Sequence, residues 1–216
     1  MPPFPFVILI EISCLIFGIL SLHKGSGKWT YFKWILFLTV LKESFAYSMI
    51  AFLHFKSNHW FHNIFLPVDF IIINCILYYS CKKYFNCKAL IIGGSVVFLI
   101  FYFYESFSNG FLEYSVITSD VSSVYFVFIC CLYYYYLLKQ DTYINLLKDP
   151  VFWIITGLFF FYFGRTACNL FFTYLVAINK DSIKPARYII FIFLNLILYC
   201  FWSNAFLCRY RQTVLS

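Results

Sequence analysis

The sequence predicts an all-α polytopic membrane protein, a seven-helix transmembrane bundle with its N-terminus outside and its C-terminus cytoplasmic. Composition points there first: of 216 residues, 63% are hydrophobic and 12% charged, with a mean hydropathy of +0.82. A soluble domain carries about a quarter charged residues, and a soluble fold made from this chain could not cover its own surface. Hydropathy agrees, because seven apolar segments approach the ~20 residues that a bilayer core requires. The breaks between them are short and polar, and lysine and arginine are divided unevenly between the two sides they define.

The first segment, 4–22, lies in "MPPFPFVILIEISCLIFGILSL". No basic stretch precedes it and no small-residue cleavage site follows, so it reads as a retained anchor rather than a signal peptide. "HKGSGKW" leads into 30–52, "HFKSNHWF" into 61–80 and "CKKYFNCK" into 89–105. The segment 89–105 is the shortest and carries "GGS" at Gly93 to Ser95, so a six-span reading would reject this one. "SFSNGFLEYSVITS" separates it from 119–138, "KQDTYINLLKDP" precedes 151–177, and "INKDSIKPAR" precedes 188–208. All seven belong to a single transmembrane domain covering 1–216.

Basic residues set the orientation. With the N-terminus outside, the inner loops and tail hold Lys24, Lys28, Lys82, Lys83, Lys88, Lys139, Lys148, Arg209 and Arg211. The outer loops hold only Lys56, Lys180, Lys184 and Arg187, together with the acidic Glu113 and Asp120. The net charge of +7 thus reflects topology and contact with anionic lipid, and asks for no nucleic acid. The lipid bilayer is the one partner that composition implies. Abundant Phe, Tyr, Ile, Lys and Asn suggest AT-rich coding in a bacterium, hence a multi-pass protein of the inner membrane.

The nine cysteines lie mostly in or beside apolar runs, where a thiol behaves as a small hydrophobe. Cys81 and Cys87 flank "KKYFN" on the expected cytoplasmic side, where disulfides are disfavoured. The run Tyr133 to Tyr136 reads as an interfacial or lipid-facing belt.

Charge inside the spans is the informative feature, because it is costly there and faces the bundle interior. Glu11, Lys42, Glu43, Asp69 and Arg165 all lie within spans. At ~1.5 Å of rise per residue, Glu11 sits ~10 Å from the outer end of its span, Glu43 ~13 Å, Asp69 ~12 Å, Arg165 ~18 Å and Asn195 ~10 Å. These depths define one polar layer in the outer half of the bilayer. Residues spaced three, four and seven apart share a helix face. Tyr162, Arg165, Cys168, Asn169 and Thr173 therefore line up, as do Thr39, Glu43 and Tyr47, then His62 and Asp69 near Pro67, and Tyr188, Asn195, Tyr199 and Trp202. Polar groups mixed with aromatics suit a ligand cavity. The expected ligand-binding residues are Glu11, Glu43, Tyr47, Asp69, Tyr162, Arg165, Asn169, Asn195 and Tyr199. Arg165 is expected to pair with Asp69, Glu43 or Glu11, and Lys42 with Glu11 unless it snorkels outward. Three acids then face two bases, which leaves room for a cationic ligand or a proton pathway. Against this stands a plainer role, in which the polar groups only fix helix packing at about 1 kcal/mol or less per hydrogen bond.

His54, His59 and His62 cluster before the third span, and His59 and His62 have a spacing that zinc could use on a helix. Seven-span hydrolases of the ceramidase type hold zinc with histidines and an aspartate, but the late spans here lack spaced histidines. No metal site and no cofactor is therefore assigned. Span 7 has no lysine for a retinal Schiff base, and no nucleophile-elbow, phosphate-loop or kinase signature occurs.

"SNHWFHNIFLPVDF" before one span and "DPVFWIITGLFFFYFG" opening a later one carry a resemblance. Through Asn58, His62 and Asp69, then Pro150, Phe152, Trp153, Gly157, Tyr162 and Gly164, the chain resembles uncharacterised small seven-span bacterial membrane proteins. Those are similar to the sensory membrane regions of histidine kinases. The resemblance implies a sensor or receptor-like unit with an outward-facing polar cavity. No output domain follows span 7 in this sequence, so a separate membrane signalling partner such as a histidine kinase is expected. A small transporter or proton-coupled carrier using the same charges is the alternative, and a membrane-embedded lipid hydrolase the third. No catalytic residues stand out.

Overall fold

The computed structural model describes residues 6–22, 28–52, 57–140, 145–178 and 180–214, with side chains at 28, 109, 172–178 and 180–186 left out of the description. Lys24, His54 and Lys56 lie outside the described residues, as do the side chains of Lys28, Thr173, Lys180 and Lys184. The described chain forms α1 (Phe6–Ser21), α2 (Lys28–Ala51), α3 (His59–Cys81), α4 (Lys88–Asn109), α5 (Val116–Leu138), α6 (Pro150–Ile178) and α7 (Lys180–Val214), with a 3-10 turn at Leu146–Lys148. Hydrocarbon offers no partner to a backbone N–H or C=O, so apolar runs of this length close their hydrogen bonds within a helix.

The helices α2 to α7 are each long and apolar enough to cross a membrane, while α1 is apolar but has 16 residues. Among the described residues the shortest α-helix is thus α1 and not the fourth helix, which has 22 residues. The expected span 89–105 stops short because "SFSN" reads as a loop, whereas α4 runs on to Asn109 and Glu105 is buried and bonded within the fold. Across the expected break at "INKDSIKPAR", α6 reaches Ile178 and α7 starts at Lys180 rather than 188.

The core is largely apolar, but the exterior is apolar as well and several polar groups lie inside. Glu11, Asn63, Asn74, Glu105, Thr118 and Asn169 are buried, while Leu20, Trp34, Ile71, Ile92, Ile100 and Phe107 are exposed. Apolar exposure on this scale belongs to a multi-pass helical membrane protein, in which lipid covers the outside and polar groups find partners inside.

The helices group into two compact units, residues 1–47 with 142–216 and residues 48–141. In the first, α7 is the centre. Cβ atoms placed on Gly157 and Gly164 would lie 3.1 Å from Phe201 Cβ and 2.3 Å from Leu194 Cδ2, so these glycines let α6 press against α7. The pairings 157 with 201 and 164 with 194 make the two helices antiparallel. Against α1, Glu11 meets Tyr199 and Gly18 meets Phe206, so α1 and α7 run parallel. Phe6 and Val214 therefore fall at opposite ends of this unit. Helix α2 joins through Lys33, whose ammonium donates to Leu22 O at 3.4 Å, and through the Phe32 ring edge-on to Trp202.

The entry to α6 is encoded in "KDP". Asp149 Oδ1 accepts the Val151 N–H at 2.9 Å, and Pro150 occupies the first helical position, where its missing N–H costs nothing. The preceding 3-10 turn is tied to the end of α7, where Gln212 Nε2 donates to Lys148 O at 3.0 Å, and to the first turn of α6, where Trp153 Nε1 donates to Leu147 O at 3.0 Å.

In the second unit α3, α4 and α5 run up, down and up. Phe70 of α3 stacks on Phe98 of α4 with centroids 4.0 Å apart and tilts against Phe126 of α5 at 5.3 Å. The tyrosine run at the end of α5 is not a uniform belt. Tyr133 is fully buried, edge-on to Tyr84, whereas Tyr135 is exposed, because successive helical residues turn by about 100°.

Candidate functional site

In the first unit, "FVILIEISC" carries Glu11 into the middle of an apolar helix, where only a neighbouring helix can satisfy it. Helix α7 does so: Tyr199 Oη donates to Glu11 Oε1 at 3.1 Å. Both residues are buried, with Glu11 only 2% exposed. One turn on, Cys14 Sγ lies 3.7 Å from Tyr199 O, and Ser203 Oγ lies 3.6 Å from Cys14 Sγ while donating to Tyr199 O at 2.8 Å. The Trp202 ring sits edge-on to Tyr199 with centroids 5.9 Å apart. Its indole Nε1–H is buried and meets no acceptor among the described residues.

Helix α2 brings a second carboxylate. Glu43 is half-buried. Lys42 Nζ stands 3.4 Å from Glu43 Oε1. Adjacent residues on a helix point about 100° apart, but the four-carbon lysine stem folds back across that angle. Tyr47, one turn further, is half-buried.

A second polar spot joins α6 to α7. Arg187 Nη2 donates to Asn169 Oδ1 at 3.1 Å, and the guanidinium lies 5.6 Å from the Phe191 ring centroid. Arg165 is half-buried one turn before Asn169, and Tyr162 is buried on the same face. Asn195 donates to Phe191 O at 2.8 Å, spending its amide donor on its own helix.

The expected ligand-binding residues of this unit are strung out along α7. Asn169 is level with residue 187 and Glu11 with residue 199, a separation of twelve residues or ~18 Å. Arg165, beside the Gly164 that meets Leu194, falls between them. Helix α7 continues well past the expected span 188–208, whereas α6 matches 151–177 to within one residue at each end. Asp69 belongs to the second unit, half-buried on α3.

That unit holds polar groups which hydropathy alone did not single out. Asn63 Nδ2 donates to Phe111 O at 3.0 Å and Glu113 O at 2.6 Å, and its Oδ1 accepts the Ser115 N–H at 3.0 Å. The Glu105 carboxylate accepts the N–H groups of Ile117 at 3.0 Å and Thr118 at 2.9 Å, with the Thr118 hydroxyl at 2.7 Å. Both residues organise the α4–α5 turn and are committed to it. "SVITSDVSS" was the available signal, since a helix start crowded with hydroxyls asks for acceptors.

His62 Nε2 lies 3.2 Å from Asn58 Nδ2, and the His59 ring tilts against Tyr114. Among the described residues no three of His, Cys, Asp or Glu stand close enough to hold a metal ion. The Glu11–Tyr199 pair with the Trp202 N–H can exchange a proton or bind a small polar group. No family model, curated protein or solved structure matches this chain.

Proposed function

We propose that the chain is a sensor or receptor-like unit of a bacterial inner membrane, oriented with its N-terminus outside. Its switch is the Glu11–Tyr199 hydrogen bond between the parallel helices α1 and α7, beside the indole N–H of Trp202. The single observation behind this reading is that buried acid and its phenol, together with a buried donor that meets no acceptor among the described residues. Ionisable groups at depth are costly and mark function by default, and a hydrogen bond that only held two helices together would return about 1 kcal/mol. A proton or a small polar ligand that prefers one arrangement of this cluster would shift how α1 packs on α7. A separate membrane signalling partner, such as a histidine kinase, would read that shift, as the resemblance to kinase sensory regions implies.

The test uses the full chain in proteoliposomes, with the emission of Trp202 isolated by subtracting a Trp202→Phe variant. Across the neutral pH range the wild type is expected to change its Trp202 emission, and Glu11→Gln to abolish the change without loss of helix content. Solute flux should be absent. An emission that titrates identically in both proteins would overturn the reading, and flux lost in Glu11→Gln would favour the carrier instead.

A further inference from the structure

The second unit carries a feature independent of the proposed sensing site. Between α4 and α5 lies an apolar cavity of about 260 Å³, lined on α4 by Ala89, Gly93, Gly94 and Val97 and on α5 by Tyr125 and Phe128. Ala89, Gly93 and Val97 follow at intervals of four, so the hollow extends along one face of α4 for two turns, ~12 Å. It falls below the ~300–1,000 Å³ of pockets that enclose whole small ligands. Its size and lining suit a stretch of alkyl chain.

The two glycines make this hollow in different ways. At Gly94 a Cβ would sit 2.2 Å from Tyr125 Cε2, so the missing side chain lets the tyrosine ring lie against the α4 backbone. Tyr125 Oη is turned away to donate to Asn74 Oδ1 at 2.8 Å, which leaves only the ring facing the cavity. Over Gly93, by contrast, nothing lies within 4 Å of where a Cβ would be.

Charge is gathered at one end of this hollow. Lys88 directly precedes Ala89, and Lys82 and Lys83 occupy the turn joining α3 to α4; all three are exposed. The Lys82 ammonium lies 4.4 Å from the Tyr79 ring centroid and that of Lys83 5.4 Å from Tyr84, contacts that steady both groups at this level. Lys139, also exposed, follows α5 at the same end, where Phe85 stacks on Tyr136 at 4.4 Å. The opposite end of the unit carries Glu105, Glu113 and Asp120.

We infer that this groove is a binding site for one anionic phospholipid, with an acyl chain lying over Gly93 and the headgroup phosphate among Lys82, Lys83 and Lys88. The apolar hollow alone would accept any lipid tail. The lysines at its mouth add the selectivity, since juxtamembrane lysines attract anionic headgroups.

Native mass spectrometry of the full chain, released from mild detergent after titration with phosphatidylglycerol or phosphatidylcholine, tests the site. The wild type should retain one phosphatidylglycerol in preference to phosphatidylcholine by about tenfold or more. The combined Lys82→Gln, Lys83→Gln and Lys88→Gln variant should lose that preference. Gly93→Leu should fill the hollow and lower retention of both lipids at unchanged helix content. The surface lysine variant carries the test even if Gly93→Leu lowers the yield. Equal retention of both lipids by the wild type, or a preference that survives the triple change, would overturn the inference. So would a dimer of the delipidated protein that Gly93→Leu abolishes, because a second copy would then be the occupant.

Discussion

Glu105 and Thr118 are joined twice: the α4 carboxylate accepts both the backbone N–H of Thr118 at 2.9 Å and its hydroxyl at 2.7 Å. With the Ile117 N–H also bound, one acid borrowed from the preceding helix caps the start of α5. A negative group is favoured at that end of a helix, where N–H groups have no partner within it. Glu105→Ala strips the acceptor and leaves buried donors behind, so a loss of about 3 kcal/mol is expected. Glu105→Gln keeps one acceptor oxygen and should cost less. Thermal unfolding in detergent, followed by circular dichroism, ranks the two.

The side chain of Asn63 acts as both donor and acceptor to the α4–α5 turn, and this makes its replacement by aspartate informative. Asn63→Asp keeps the oxygen for Ser115 N–H but sets a second oxygen against the carbonyls of Phe111 and Glu113. It should therefore open the turn at least as far as Asn63→Ala does. Faster amide exchange across 110–115, in the order aspartate, alanine, wild type, is the expected readout.

Gly93 and Gly94 are neighbours with opposite tolerance. Gly93→Ala enters open space and should be neutral or gain up to about 1 kcal/mol from helix propensity. Gly94→Ala drives a methyl into the Tyr125 ring and should lower the unfolding temperature. A Tyr125→Leu change should recover part of that loss in the double variant.

A double-mutant cycle on Glu11→Gln and Tyr199→Phe measures the bond on which the proposed function rests. Coupling of about 1 kcal/mol is expected, in line with hydrogen bonds between membrane helices. Additive losses would mean that the two residues do not act on each other, and the cluster would lose its switch.

The cap at Asp149 offers a smaller test of local structure. Asp149→Ala should cost about 1 kcal/mol and Asp149→Ser much less, since serine can still accept the Val151 N–H. Either change should leave the Glu11–Tyr199 coupling as it is.

Much of the candidate site was legible along single helices. The faces Glu43 with Tyr47, Tyr162 with Arg165 and Asn169, and Tyr199 with Trp202 follow from a period that needs no structure. Their partners were not legible. Arg187 looked like a loop residue until α7 proved to begin at Lys180, which carries the guanidinium to Asn169. Glu105 looked like the frayed end of a short span. Its burial depends on α5 starting beside it, and no count along α4 contains that fact.

Residue order alone decided the class of molecule, the positions of its apolar segments and the phase of each helical face. These are local sums over neighbours, and in lipid a backbone has almost no choice but the helix. Folding in three dimensions decided which helix met which: the parallel seating of α1 on α7, the pairing of Glu11 with Tyr199, and the hollow over Gly93 beside the filled gap over Gly94. Those outcomes depend on sub-ångström to few-ångström fits between segments far apart in the chain, a quantity that hydropathy does not carry.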